Sequence, residues 1–326
     1  MEIIKVENIS KKYEYVKKKE GLRNSLKNLF RSNRESKDAV TSISFSIKEG
    51  ELVGFLGPNG AGKTTTLKML SGILTPTSGE ISVLGFEPIR RQKEYQMQFA
   101  FVMGQKLQLW WDLPPIESFL LNKKIYEVND EDFKKTLDEL VSILGVEDVL
   151  HKQVRQLSLG ERMKCELIAA LLHGPKVLFL DEPTIGLDVV AQKNIRDFIR
   201  KYNREKKTTI ILTSHYMEDI LQLCERIIII DFGKIIYDGS IKELIGRYAP
   251  NKKITVFFER EVSESEICVF GKECVFSPLK SSIEVPREKV KEVAGNILSS
   301  DLPVKDIEIS EEDVDGIIRN IFANGR

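Results

Sequence analysis

Apolar residues recur along this chain in two rhythms. Ile3 to Ile9 and Ile43 to Ile47 alternate apolar with polar positions, which predicts two strands of a layer with one buried face. Glu51 to Gly57, Val177 to Asp181, Thr209 to Ser214 and Arg226 to Asp231 have apolar centres without alternation, which predicts strands covered on both faces. Gly79 to Pro88 and Gly233 to Ser240 each read as a strand and a turn. Between the strands the spacing turns helical. Thr64 to Leu74 is one such segment. Glu117 to Glu147 is another, with Leu120, Leu121, Ile125, Phe133, Leu137, Leu140, Val141 and Leu144 as its apolar positions and Asn129–Asp130 as a break and cap. Glu161 to His173 is a third, ended by Gly174–Pro175. Strands alternating with helices predict an α/β fold with a mostly parallel sheet.

The pattern changes after Gly246. Arg247 to Lys253, which contains Pro250–Asn251, reads as a linker. Short strands follow at Ile254–Phe258, Ile267–Phe270 and Ser282–Val285, then a helix at Arg287–Leu298, a strand at Val304–Ile309 and a last helix at Glu311–Phe322. Residues 1–246 and 247–326 are therefore expected to form an α/β domain and a small α+β accessory domain.

Composition narrows the picture. A chain of 326 residues suits about two domains. The 49 basic and 49 acidic side chains cancel, so no global basic bias points to nucleic acid. No run of eighteen apolar residues occurs and MEIIKVENIS has no signal-peptide pattern, so a soluble, cytoplasmic chain is expected, with any membrane role peripheral. The four cysteines lack C-x-x-C spacing. Cys165 and Cys224 lie in apolar helical patterns and read as reduced core thiols. Cys268 and Cys274 could meet across a hairpin, but free thiols are expected in a reducing compartment.

The chemistry concentrates in three segments. Gly57 to Thr65, GPNGAGKTT, fits the phosphate-binding loop G-x-x-x-x-G-K-[ST] between a strand and a helix. Its glycines let backbone N–H groups face a polyphosphate, and the helix N-terminus adds partial positive charge. Asn59, Gly60, Ala61, Gly62 and Thr65 complete the cradle. Lys63 is placed to reach the β- and γ-phosphates and the Thr64 hydroxyl to ligate Mg²⁺. ATP or GTP would fit. In the second segment, VLFLDEPTIGLD, a buried strand delivers Asp181 and Glu182 to its carboxyl end. Alternation along the strand would aim Asp181 at the Mg²⁺ and Glu182 at an attacking water. The third is QLSLGERMKCELIAALL, Gln156 to Leu172.

With GPNGAGKTT, LSLGE and LFLDEPTIGLD in that order, residues 1 to 245 resemble the ATP-binding subunits of ABC transporters. The resemblance implies a P-loop NTPase core with an antiparallel β layer and a helical subdomain at about 106–158. It also implies a head-to-tail dimer, of identical or related chains, closing over two ATP molecules. Leu157 to Glu161 matches the family signature LSGGQ, with Leu159 for the first glycine and Glu161 for the glutamine. Ser158 and Gly160, which carry the γ-phosphate contact in the family, are kept. Glu161 is expected to point away and help the helix start. Asp188 matches the acidic member of the segment that crosses the dimer interface. His215 in LTSHYMEDI matches the switch histidine, and Gln105 in FVMGQ the glutamine that contacts Mg²⁺ and water. Tyr13 in SKKYEY matches the aromatic that stacks on adenine, with Tyr15 a close competitor. His151 and His173 fit no motif and read as structural.

Two features point to partners. Trp110 and Trp111 are adjacent, so at least one is expected to be exposed, where the family receives a helix of the membrane subunit. The insert Lys17 to Lys37 carries eight basic against two acidic residues and places Leu22, Leu26, Leu29 and Phe30 on one helical face, suited to a membrane surface or a permease. GQKLQLWWDLP, LSLGERMKCEL and DEPTIGLDVVAQ are most similar to ABC-2-type export ATPases, which implies ABC-2-type permease partners and a place on the inner face of the cell membrane. The insert also resembles those of cell-surface polysaccharide exporters. A soluble ABC ATPase acting on ribosomes or nucleic acid is the competing class. It usually carries two cassettes or a long coiled coil, and neither is present here.

Overall fold

The computed structural model describes residues 1–16, 34–104, 106–214, 216–248, 251–271, 274–311 and 316. Gln105, His215, the apolar face Leu22, Leu26, Leu29 and Phe30, and nearly all of the expected final helix lie outside the described residues. The chain divides into two units, Met1–Gly239 and Ser240–Arg326.

In the first unit, β1 (Glu2–Val16) and β2 (Arg34–Lys48) form an antiparallel pair, and β3 (Leu52–Leu56) opens a parallel sheet. After α1 (Lys63–Leu70), β4 (Ser78–Val83) pairs with the other side of β1. A short α2 (Lys93–Gln96) leads to β5 (Phe99–Met103). Then come α3 (Pro115–Ile125), α4 (Asp130–Leu144) and α5 (Leu159–Leu171), followed by β6 (Val177–Asp181), α6 (Val189–Lys206), β7 (Thr209–Ser214), α7 (Met217–Leu223), β8 (Arg226–Asp231) and β9 (Lys234–Ser240).

The large sheet has the order β5-β6-β7-β3-β8-β9, with β3 parallel to both β7 and β8. Every residue of β3, β6 and β7 is buried, including the polar Asp181, Thr209, Thr213 and Ser214 at the strand ends. The inward residues of the antiparallel layer, among them Ile4, Ile9, Ile43 and Ile47, pack in one cluster with Leu67 and Leu70 of α1 and with Phe55, Phe179 and Ile228 of the sheet. Three strands, β3, β6 and β7, are thereby clamped side by side, and their carboxyl ends carry the candidate chemistry. Asn129 caps α4 by accepting from Asp132 N–H at 2.9 Å, so the break read at Asn129–Asp130 is a true helix start.

The second unit places α8 (Ile241–Tyr248), β10 (Asn251–Phe258), α9 (Glu264–Ile267), β11 (Cys274–Val275), β12 (Lys280–Pro286), α10 (Val290–Leu298) and β13 (Val304–Glu311) in sequence. Its antiparallel sheet has the order β11-β12-β10-β13. Ile254, Val256, Phe258, Ile283, Val285 and Ile297 form its core. Three expectations fail here. Arg247–Lys253 is not a linker, because α8 runs to Tyr248 and β10 opens at Asn251. Ile267–Phe270 is no strand: Ser263 and Glu266 form a capping box that starts α9, and a 3₁₀ turn at Cys268–Phe270 continues it. Cys268 and Cys274 are not free thiols but disulfide-bonded. The return of the chain into β11 brings their Cα atoms to 5.4 Å, within bonding range, and geometry overrides the expectation drawn from compartment. Cys165 and Cys224 are free and buried. No helix among the described residues is long and apolar enough to cross a membrane.

Candidate nucleotide site

The phosphate loop crosses from β3 to α1 through two positions that only glycine fills. A Cβ at Gly57 would stand 2.2 Å from the Ile230 carbonyl oxygen on β8. Gly62 has φ +113°, and a Cβ there would stand 2.6 Å from the Ala39 carbonyl oxygen. Lys63, the first residue of α1, is buried. Its ammonium donates to the Gly57 carbonyl at 2.5 Å and the Pro58 carbonyl at 3.2 Å. Burial pulls its pKa below the usual lysine range, against the opposing pull of Glu182 and Asp181.

Asp181 ends β6 with its carboxylate between two threonines. The Thr64 hydroxyl lies 2.8 Å from Oδ2 and 3.1 Å from Oδ1, and the Thr213 hydroxyl donates to Oδ1 at 2.6 Å. Glu182 is separated from Asp181 by a backbone turn, not by strand alternation as expected. It has left the strand with φ +54°, and its N–H donates to the Thr213 carbonyl at 3.0 Å, with Thr213 Oγ1 at 3.1 Å. Gly104, at the end of β5, donates its N–H to the Asp181 carbonyl at 2.8 Å and leaves the room in which the Glu182 carbonyl sits.

Tyr13, Lys37, Ala39, Asn59, Gly60, Gly62, Lys63, Thr64, Thr65 and Glu182 line one cleft of about 240 Å³. The cleft includes Tyr13 and not Tyr15, whose hydroxyl donates to Glu35 at 3.1 Å. Lys11 Nζ lies 5.4 Å from the Tyr13 ring centroid. Lys37, read in the sequence only as the end of the basic insert, faces this cleft because it is the cross-strand partner of Tyr13.

Ser158, Gly160 and Asp188 are not among the residues lining this cleft. Ser158 caps α5 in a reciprocal capping box with Glu161, so the glutamate turns back on the helix start. Gly160 packs closely, with only 3.1 Å from an added Cβ to Ala191 Cβ. Asp188 caps α6 by accepting from Ala191 N–H at 2.9 Å. His151 is exposed. His173 stacks on Tyr126 at 3.8 Å, lies 3.2 Å from the Phe99 carbonyl through Nε2, and has its pKa pushed down to about 4 by burial.

Two arrangements escaped the sequence. Asp219, fully buried on α7, accepts from Arg196 at 2.8 Å, from Ser214 at 2.9 Å and from Thr184. It thereby ties the turn after Glu182 to the end of β7 and to α6. Glu166, buried on α5, accepts from the N–H groups of Gln108 (2.9 Å) and Leu109 (3.2 Å) through Oε1, and burial raises its pKa. The only one-dimensional signal for these is a charge inside an apolar helical pattern. Trp110 and Trp111 are both exposed, at 57% and 46%, so the pair offers two rings to solvent where alternation required only one. Their segment is neither helix nor strand, so alternation does not apply. The Arg162 guanidinium lies 5.5 Å from the Trp111 ring centroid.

Comparison with known proteins bears on this geometry. Residues 40–185 match the ABC transporter family model. The chain is 34% identical over 215 residues to the ABC transporter ATP-binding protein NatA of Bacillus subtilis, covering 66% of this chain and 87% of that protein. It is 36% identical over 222 residues to the bacitracin transport ATP-binding protein BcrA of Bacillus licheniformis, covering 68% and 70%. The dimeric structure of a bacterial ABC transporter cassette superposes with a TM-score of 0.59 at 25% identity, over 73% of this chain and 98% of that one. A phosphate loop after β3, a carboxylate pair at the end of β6 and a signature helix, in a chain 34% identical to NatA over 87% of that protein, place this protein in the family of ABC transporter ATP-binding subunits.

Proposed function

We propose that this ATP-binding subunit powers export of a substrate through separate ABC-2-type permease subunits, and that the residues gathered around the cleft carry the ATPase chemistry. The observation that carries the reading is the convergence of Lys63, Thr64, Asp181 and Glu182 on one corner of the sheet. Tyr13 would stack on the adenine, and the backbone N–H groups of Asn59 to Thr65 would cradle the phosphates. The two carbonyl oxygens that Lys63 holds are the bonds that phosphate oxygens would replace. Thr64 and Asp181 supply a hydroxyl and a carboxylate within 3.1 Å of each other, hard oxygen donors that fit Mg²⁺. When bound there, that ion neutralises charge building on the β- and γ-phosphates. Glu182, fixed by its N–H on Thr213, would orient the attacking water and take its proton. Gln105 and His215 join this set by resemblance.

The remaining parts are read by resemblance to the family. Ser158 and Gly160 would grip the γ-phosphate held by a second copy or a related chain, with Asp188 at the crossing. The dimeric state of the bacterial cassette supports that arrangement. The exposed Trp110–Trp111 pair would seat the permease, and the basic insert with Leu22, Leu26, Leu29 and Phe30 would lie on the inner face of the membrane. Bacitracin transport by one relative supports small-molecule export over polysaccharide. Balanced charge offers nothing for ribosomes or nucleic acid. ATPase assays on Lys63→Ala and Glu182→Gln test the assignment. Turnover is expected to fall by about 100-fold or more in each, and unchanged turnover in both would sink it.

A further inference from the structure

The N-terminus of α5 commits its serine to a carboxylate. Ser158 Oγ donates to Glu161 Oε2 at 2.7 Å, Ser158 N–H donates to the same oxygen at 2.8 Å, and Glu161 N–H lies 3.3 Å from Ser158 Oγ. A serine hydroxyl has one proton to give. Here it goes into a charge-assisted bond, about twice as strong as a neutral one. The two bonds from Ser158 hold the Glu161 pKa below the usual carboxylate range, with Lys152 and Lys164 adding to the effect. The carboxylate is therefore charged at neutral pH.

We propose that Glu161 is a brake on ATP-driven closure of the dimer: it withholds the Ser158 proton from the γ-phosphate of the nucleotide on the partner subunit and places a negative charge beside that phosphate. The inference rests on the two-ATP dimer reading above. To grip the phosphate, the Ser158 O–H must rotate away from Glu161, exchanging one charge-assisted bond for another at little gain. A glutamine at the same place would give up only a neutral bond and carry no charge. The difference between charged and neutral partners corresponds to about fivefold per composite site. Two such sites close together, so the dimer constant should change by roughly 25-fold. Glutamine also completes a capping box, so Glu161→Gln keeps the helix start.

The test uses the full chain in a Glu182→Gln background, with ATP and Mg²⁺, and measures the dimer constant by sedimentation velocity. Alongside this parent run Glu161→Gln and Ser158→Ala, each checked by thermal melt. Glu161→Gln is expected to tighten the dimer by roughly 25-fold, and Ser158→Ala to loosen it. A residue that merely caps a helix would give no tightening. If Ser158→Ala loosens the dimer and Glu161→Gln leaves it unchanged or looser, the brake is overturned and the dimer reading stands. If the parent forms no ATP-dependent dimer, the dimer reading falls and the brake with it.

Discussion

Alanine at Gly104 would separate the position of Glu182 from its mere presence. A Cβ built on Gly104 stands 2.1 Å from the Glu182 carbonyl oxygen and 3.0 Å from both its carbonyl carbon and Ile185 Cγ2. Cβ atoms essentially never come within 3.0 Å of another heavy atom, so something must move by about 1 Å. Gly104 itself is held by its N–H bond to the Asp181 carbonyl, and β5 is locked to β6 in register from Phe99↔Val177 to Met103↔Asp181. The atoms the new Cβ meets belong to the left-handed turn from Glu182 to Ile185, so that turn must yield. A catalytic group misplaced by about 1 Å loses on the order of 100-fold in rate. Steady-state ATPase assays on Gly104→Ala should therefore show kcat down roughly 100-fold. KM for ATP should stay within about threefold, because β3 and α1 carry the phosphate loop independently. Overpacking costs about 1–3 kcal/mol, so a thermal melt must confirm a folded sample. Gly246→Ala is the control, since a Cβ there meets no atom within 4 Å, and it should leave kcat unchanged. A folded Gly104→Ala protein with kcat within about threefold of the parent would refute the claim that Glu182 needs this exact seat.

Other perturbations read other contacts. Thr213→Val removes one hydroxyl from both Asp181 and the Glu182 N–H, and kcat should fall roughly 10- to 100-fold with little change in melting; an unaltered rate would show the hydroxyl to be incidental. Asp219→Asn leaves the Arg196 charge buried with a weakened partner, for which about 3 kcal/mol of stability should be lost in denaturant titration; an unshifted midpoint would contradict this. His173 is held neutral in the folded chain, with its pKa lowered from 6.5 to about 4. Its contribution is complete above pH 6.5 and is lost as pH falls toward 4, a difference of roughly 3 kcal/mol. His173→Gln should flatten the pH dependence of stability over that window relative to the parent, and identical slopes would rule the histidine out as its source.

How far the sequence could be read depended on what each feature needed. The buried strands β3, β6, β7 and β8 announce themselves because a strand covered on both faces needs an apolar centre, and only their ends carry polar residues. The outer halves of β1 and β2 do not. Lys12 to Val16 pairs in register with Arg34 to Asp38, yet Lys12 to Tyr15 are exposed, so no alternation marks them. Ile267–Phe270 was misleading in the opposite sense, being apolar like a strand while Ser263 and Glu266 start a helix just before it. Lys63, Thr64, Asp181 and Glu182 were legible because phosphate chemistry fixes residue types at fixed spacing. Gly104, Glu166, Thr213 and Asp219 were not, since each acts through a partner 31 or more residues away or across a helix interface that no linear spacing encodes.

ATP hydrolysis at this cleft is proposed to drive a membrane permease. Affinity capture of the full-length Glu182→Gln chain from detergent-solubilised membranes of its own cells, with ATP and Mg²⁺, tests it most directly. Stoichiometric recovery of a multi-helix membrane protein is expected, lost on Trp110→Ala/Trp111→Ala substitution. Recovery from the soluble fraction alone, with ribosomal or nucleic-acid partners, would contradict it.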